Sequence, residues 1–302
     1  MKKAFIQLHV AVLLAGFTAI LGKLIELNEG YLTAYRMFLS ALILGVILYF
    51  KKNLHFFSLK NTFKMLGVGA IISLHWLTFY GSIKYSNVSV SVTCLSSIGF
   101  FTSFFEPLIN RRRIDIVEVL LGLLAIAGVY LIFNFYPEFK TGIIFGIISA
   151  MLASLFPIIN KRLLETYSAN TLTFFEMIGG VLAMCCLLPF YFHFFPAKYF
   201  IPTLSDFLWL LVLAGVCTVF AFYLSLNSLK KISAFTTNLT YNFEPIYSII
   251  LAFIIFKENK FLGPGFYFGV ALIVLAVTLQ MLRVYHGRKK DRNLELGIQQ
   301  SV

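Results

Sequence analysis

Apolar residues in this chain come in long unbroken runs, with polar residues confined mostly to the short stretches between them. The runs lie near 4–25, 31–50, 64–83, 88–109, 116–135, 141–160, 169–195, 206–229, 232–256 and 264–283. A helix rises about 1.5 Å per residue and the hydrocarbon of a bilayer is about 30 Å thick, so about 20 such residues make one crossing. The pattern predicts an all-α integral membrane protein of ten transmembrane helices, joined by nine short connections. No connection is long enough to hide a soluble domain.

Composition removes the soluble alternative. Hydrophobic residues make up 59% of the 302 positions and charged residues 13%, with a mean hydropathy of +0.86. A soluble domain carries about 25% charged residues, and this chain could not cover a water-facing surface with half that. The net charge of +12 would suit nucleic acid, but its placement argues otherwise. With the amino terminus inside, eighteen Lys and Arg fall on cytoplasmic segments, among them Lys2, Lys51, Arg111, Arg162, Lys230 and Lys289. Five fall on the opposite loops: Lys84, Lys140, Lys198, Lys257 and Lys260. That asymmetry is the positive-inside bias, and it puts both tails in the cytoplasm of what reads as a bacterial inner membrane. The basic tail from Arg283 to Arg292 is the last topogenic anchor, with membrane lipid as a candidate partner.

Met1-Lys2-Lys3 before an apolar run imitates a signal peptide, but the run is long and is read as the first span. Cys94, Cys185, Cys186 and Cys217 all lie inside apolar runs with no CxxC pair and no histidine beside them. They read as buried free thiols, and neither a metal nor a cofactor is expected. Asn87-Val88-Ser89 matches a glycosylation sequon, a weak pattern without other secretory signals.

The chain repeats itself. Ala15-Gly16 before Lys23 matches Ala153-Ser154 before Lys161 at an offset of 138; Tyr35-Arg36-Met37 matches Phe175-Glu176-Met177 at 140; Gly128-Val129 matches Ala276-Val277 at 148. The 148 offset also pairs Ser89 with Thr237, Thr93 with Tyr241 and Ser96 with Glu244, along one polar stripe of the fourth and ninth spans. Phe105-Glu106-Pro107 resembles Phe243-Glu244-Pro245, but that register throws the following loops out of step. Two repeats are therefore expected, 1–138 and 139–302, of five helices each. Five is odd, so the halves lie upside down relative to one another, as in secondary transporters that exchange the conformations of two halves.

Charges deep in hydrocarbon are costly and usually serve a pathway. Glu244 lies twelve residues from Ile232, about 18 Å deep and near the midplane. It suits the binding and release of a coupling proton, and the plainer alternative is a permanently protonated acid. Pro245 follows at once and is the expected hinge, because proline removes a helical N–H. Arg36 could hold a substrate carboxylate, or could be a packing charge tied to the Glu26/Glu29 loop or to carbonyls. Glu176, its counterpart, is expected at the opposite mouth of the same cavity. His75, Trp76 and Tyr80 of the third span offer an imidazole and an aromatic wall, although in a chain with 34 Phe and 15 Tyr core packing is the reading favoured for Trp76 alone, and Ser96 and Tyr241 complete the candidate substrate-binding set. Lys23 and Glu106 sit near span edges, where they are expected to snorkel.

On these residues the chain resembles the EamA-like branch of the drug/metabolite transporter superfamily. The likeness runs through Gly16…Lys23, Arg36, Pro245, Lys257-Glu258 and Gly263-Pro264-Gly265…Gly269. It departs at Asn110-Arg111-Arg112-Arg113, where that family usually has Gly-Glu. The resemblance implies export of amino acids, their derivatives or other small metabolites through a central cavity between the halves. The reading is a secondary transporter working by alternating access on a small-molecule substrate, with the proton as candidate coupling ion and no nucleic-acid partner. An intramembrane enzyme would need an HExxH, a GxSxG or paired aspartates, and none appears. A non-transporting assembly protein would show repeated small-xxx-small faces, and only scattered ones occur.

Overall fold

The structure, a computed structural model, describes residues 2–52, 57–232, 234–241, 243–279 and 282–283. The basic tail beyond Arg283 lies outside the described residues. Helices α1 (Lys2–Leu24), α2 (Glu29–Phe50), α3 (Leu59–Tyr85), α4 (Val88–Leu95), α5 (Ile98–Asn110) and α6 (Ile116–Phe135) form the first half. The second comprises α7 (Lys140–Leu163), α8 (Ala169–Phe194), α9 (Leu204–Ala214), α10 (Ala221–Leu229), α11 (Ala234–Tyr241), α12 (Glu244–Phe256) and α13 (Pro264–Leu279). With α4–α5, α9–α10 and α11–α12 each counted as one interrupted rod, the described residues form ten helical segments. Eight are long and apolar enough to cross a membrane, and Glu244–Phe256 and Pro264–Leu279 are shorter apolar helices. Short turns end in side-chain caps. Asn28 accepts from Gly30 N–H, Ser168 from Thr171 N–H and Thr203 from Asp206 N–H, covering donors that the first helical turn leaves free.

Large apolar side chains such as Phe38, Leu42, Phe50, Leu120, Phe190, Leu208 and Phe268 are exposed on the outside, the surface expected of a protein solvated by lipid. Small polar residues go inside: Thr33, Ser40, Ser73, Ser82, Ser89 and Ser149 are all buried.

The packing is two-fold in character. Helix α1 packs on α10 and α12, and its counterpart α7 packs on α3 and on α4–α5. Helices α2 and α8 are counterparts and pack on each other, as do α4 with α12 and α5 with α11. Exchanging the halves leaves this set of pairings unchanged, as two inverted five-helix repeats require. Two contacts depend on glycine. A Cβ at Gly69 would stand 1.9 Å from the Glu176 carbonyl oxygen, and one at Gly179 2.2 Å from that of Leu66, so α3 and α8 meet backbone to backbone. Gly128 and Gly269 do the same for α6 and α13, each facing the other's carbonyl oxygen.

The register of the repeat is corrected at the fourth and ninth spans. Helices α5 and α12 start at Ile98 and Glu244 and end in left-handed caps at Arg111 (φ 53°) and Lys257 (φ 56°), so both landmarks lie 146 apart. Ile98, not Ser96, is therefore the counterpart of Glu244. The offset reaches 148 only at Ile116 and Pro264, after the extra turn Glu258–Lys260. The cysteine reading is corrected too: Cys94 and Cys217 are buried, but Cys185 and Cys186 are exposed on the outer surface of α8. Asn87 is nearly buried because its side chain caps α4 through Val90 N–H, which explains its presence without a glycan.

Candidate functional site

A cavity of about 90 Å³ lies between the halves. Its wall draws on α1 (Ala11, Ala15, Thr18), α3, α7 (Ala153, Phe156, Pro157), α10 (Ser225, Leu226, Leu229) and α11 (Thr237, Tyr241). These are mid-span residues and residues towards the face where α1 begins, called here the Lys2 face. The wall is mostly apolar, and five of the expected residues line it: Arg36, His75, Trp76, Tyr241 and Glu244.

Arg36 is held on every side. Its Nε donates to Thr218 Oγ1 at 2.8 Å, Nη1 to Tyr80 Oη at 2.5 Å and Nη2 to the Cys217 carbonyl at 3.3 Å. Its Cζ lies 3.6 Å from the Trp76 ring centroid, a cation–π stack. The alternative anchors in the Glu26/Glu29 loop are not the ones used. The partners on the eighth rod exist because Gly215–Phe220 is a π-helical turn, in which Thr218 Oγ1 also reaches back to the Leu213 carbonyl at 2.8 Å. Such bulges free carbonyls that an α-helix would occupy. Thr218 and the π-turn were missed from sequence, where between Phe207 and Leu224 only Gly215 and Thr218 interrupt the apolar run.

His75 is oriented by α7. Its Nδ1 lies 3.0 Å from the Ser149 carbonyl, which can only accept, and Ser149 Oγ donates to the His75 carbonyl at 3.1 Å. Ser149 Oγ also lies 2.8 Å from Nδ1, so Ser149 engages that side of the ring through both its hydroxyl and its carbonyl. Phe79 and Phe156 flank it at centroid distances of 6.2 and 5.9 Å.

Glu244 begins α12, immediately after the interruption of the ninth rod, with Pro245 in the first turn. Tyr241, one turn earlier, donates to Ser225 Oγ at 3.1 Å. A matching interruption at Ser96–Ser97 separates α4 from α5, without any proline. There the turn is closed by Ser96 N–H to the Thr93 carbonyl and Ser97 N–H to that of Cys94, both at 3.1 Å.

Three expected residues lie elsewhere. Tyr80 stands behind the wall as a partner of Arg36. Ser96 lines a separate apolar pocket with Phe243, Pro245, Ile249 and Ile273. Glu176 is fully buried and does not line the cavity: its helix is pulled against α3 at Gly69, and its carboxyl sits near Asn160. Nor does Lys23 snorkel; its Nζ pairs with Glu258 Oε1 at 2.6 Å.

The opposite end, the Lys23 face, is closed by polar contacts. Tyr191 Oη and Tyr85 Oη both reach Glu29 Oε1, at 2.6 and 3.3 Å. Glu26 N–H donates to Asp206 Oδ1 at 2.9 Å, and Lys84 Nζ to the Ile25 carbonyl.

Ten helical segments in two related halves, around a cavity holding buried charge, define a membrane transporter. The sequence pattern of the EamA-like transporter family matches the chain twice, over residues 2–134 and 140–282. The chain belongs to that family. An uncharacterized transporter of Clostridium kluyveri is 22% identical, over 98% of this chain and 97% of the relative. The uncharacterized transporter YetK of Bacillus subtilis is 25% identical, over 93% and 87%. An uncharacterized transporter of Archaeoglobus fulgidus is 23% identical, over 71% and 75%. A protein of known crystal structure superposes with a TM-score of 0.64 at 16% identity, covering 93% of this chain and 98% of its own, so the fold is shared.

Proposed function

We propose that this transporter is a secondary carrier that exports a small metabolite carrying both an anionic and a cationic or donor group, such as an amino acid or a derivative, by alternating access. The observation that carries the reading is that Arg36 and Glu244 line one otherwise apolar cavity. A guanidinium has five N–H donors, and three of those on Arg36 are directed at protein. The others are available to a substrate carboxylate. Glu244 carries the proton that drives the cycle and, once ionised, meets the substrate's cationic or donor group. His75, on the cavity wall with Nδ1 held by Ser149, offers the other ring nitrogen to a polar group of the substrate.

Export is the direction that the family resemblance implies: the positive-inside bias assigns the Lys2 face, which the cavity lining approaches at Leu229, to the cytoplasm, and substrate is taken up from there. The repeats are taken as 1–138 and 139–302.

Thermal stabilisation of the detergent-purified protein tests the substrate class. Amino acids and derivatives should raise its melting temperature in the wild type and fail to do so in Arg36→Lys, while nucleosides, sugars and organic cations should have no effect. Stabilisation by organic cations alone, unaltered in Arg36→Lys, would refute the assignment.

A further inference from the structure

Lys23, at the end of α1, and Glu258, after α12, make more than an ion pair. Glu258 is 3% exposed, and its carboxylate accepts from Val88 N–H at 3.1 Å, Ser89 N–H at 2.9 Å and Ser89 Oγ at 2.6 Å. Lys23 Nζ donates to it at 2.6 Å and lies 4.6 Å from the Phe256 ring centroid. One carboxylate therefore ties together α1, the start of α4 and the end of α12, from both repeats, at the closed face. Each bond is charge-assisted, the kind that holds best, and α4 begins with its free N–H groups directed at a negative charge.

The same place in the inverted half is built differently. The counterpart of Lys23 is Lys161, and the counterpart of the α4 start is the start of α11. With left-handed caps at Arg111 and Lys257 as landmarks, the counterpart of Glu258 is Arg112. A cation stands where the latch needs a carboxylate. Lys161 Nζ goes instead to the carbonyls of Leu229 and, at 2.9 Å, Ile232. Arg162 holds the end of α5 through the Ile109 carbonyl at 2.8 Å and Asn110 Oδ1 at 2.9 Å. Arg112 itself is exposed. This is the Lys2 face, which the cavity lining approaches at Leu229.

We propose that Glu258 is the gate residue of this carrier. Its latch on Lys23 and α4 holds the Lys23 face shut, and the lack of a carboxylate at position 112 leaves the Lys2 face with no equivalent lock, so the empty protein rests open to that side. The inference rests on the alternating-access reading. Its test reads conformation and not transport, so the two can fail separately.

Cys217 lines the cavity near the middle of its rod and serves as reporter once Cys94, Cys185 and Cys186 are replaced by serine. In sealed membrane vesicles of each orientation, a membrane-impermeant charged maleimide should modify Cys217 at least about tenfold faster from the Lys2 face, a rate ratio worth about 1.4 kcal/mol. Glu258→Gln, which keeps shape but not charge, should make Cys217 reactive from the Lys23 face. Reactivity unchanged from the parent would overturn the proposal. Should Glu258→Gln fail to insert, Arg112→Glu decides. This exposed change offers Lys161 and the start of α11 the missing carboxylate, and it should slow modification from the Lys2 face severalfold. An unaltered rate there would then dismiss the latch.

Discussion

Arg36 lies over the Trp76 ring, its guanidinium carbon 3.6 Å from the ring centroid, while Tyr80 Oη accepts from Nη1 at 2.5 Å. The stack leaves the cation fixed in orientation before any substrate arrives. That is what a low-dielectric cavity needs in order to bind an anion without reorganising. Arg36→Lys keeps the charge but loses the plane and the fork. Substrate affinity should fall about tenfold to a hundredfold, the weight of one charged hydrogen bond at about 1.5–3 kcal/mol. Binding titrations on folded, monodisperse protein measure this, and an affinity within twofold of wild type would reduce Arg36 to a packing charge.

Trp76→Leu removes the face on which the guanidinium rests but no hydrogen bond. Exposed to desolvated cation–π contacts are worth about 0.5–2 kcal/mol, so affinity should drop about threefold to thirtyfold. The loss should be smaller when Arg36 is already Lys. A double-mutant cycle gives the coupling, and strict additivity would show that the stack does not orient the arginine.

His75→Gln retains an amide near the Nε2 position, whereas His75→Phe retains only the ring. If Nε2 accepts from the substrate, the Gln variant should bind better than the Phe variant. Equal binding by both would remove His75 from recognition and leave it as an α3–α7 packing residue through Ser149.

Gly179 and Gly69 carry the closest approach of α3 to α8. Gly179→Val would drive a side chain into the Leu66 backbone, 2.2 Å from its carbonyl oxygen at Cβ alone. Overpacking of this kind costs about 1–3 kcal/mol or more, and the melting temperature should fall clearly. Gly67→Val, on the facing helix α3 with open space around it, is the control and should change little.

Spans and repeats were legible because the membrane demands one apolar run per crossing, and Arg36 and Glu244 stood out because charge is rare there. What escaped was tertiary. The Ser96–Ser97 interruption has no proline to announce it. The π-turn that lends Thr218 and the Cys217 carbonyl to Arg36 has no sequence period of its own. Glu176 was symmetric with Arg36 on paper, yet glycines at positions 69 and 179 draw its helix against α3, and it does not reach the cavity wall. Glu258 was noticed only as part of Lys257-Glu258. Its partners Lys23 and Ser89 lie 235 and 169 residues away, a pairing no local pattern carries.

The central claim is that Glu244 couples a proton to movement of the substrate that Arg36 anchors. It is met most directly by accumulation in proteoliposomes under an imposed pH gradient, using a ligand that stabilises the purified protein. Wild-type protein should accumulate that ligand, and a protonophore should abolish the accumulation. Glu244→Gln, which cannot ionise, should bind the ligand yet fail to concentrate it. Undiminished gradient-driven accumulation by Glu244→Gln, or no movement at all of a bound ligand by the wild type, would contradict the account.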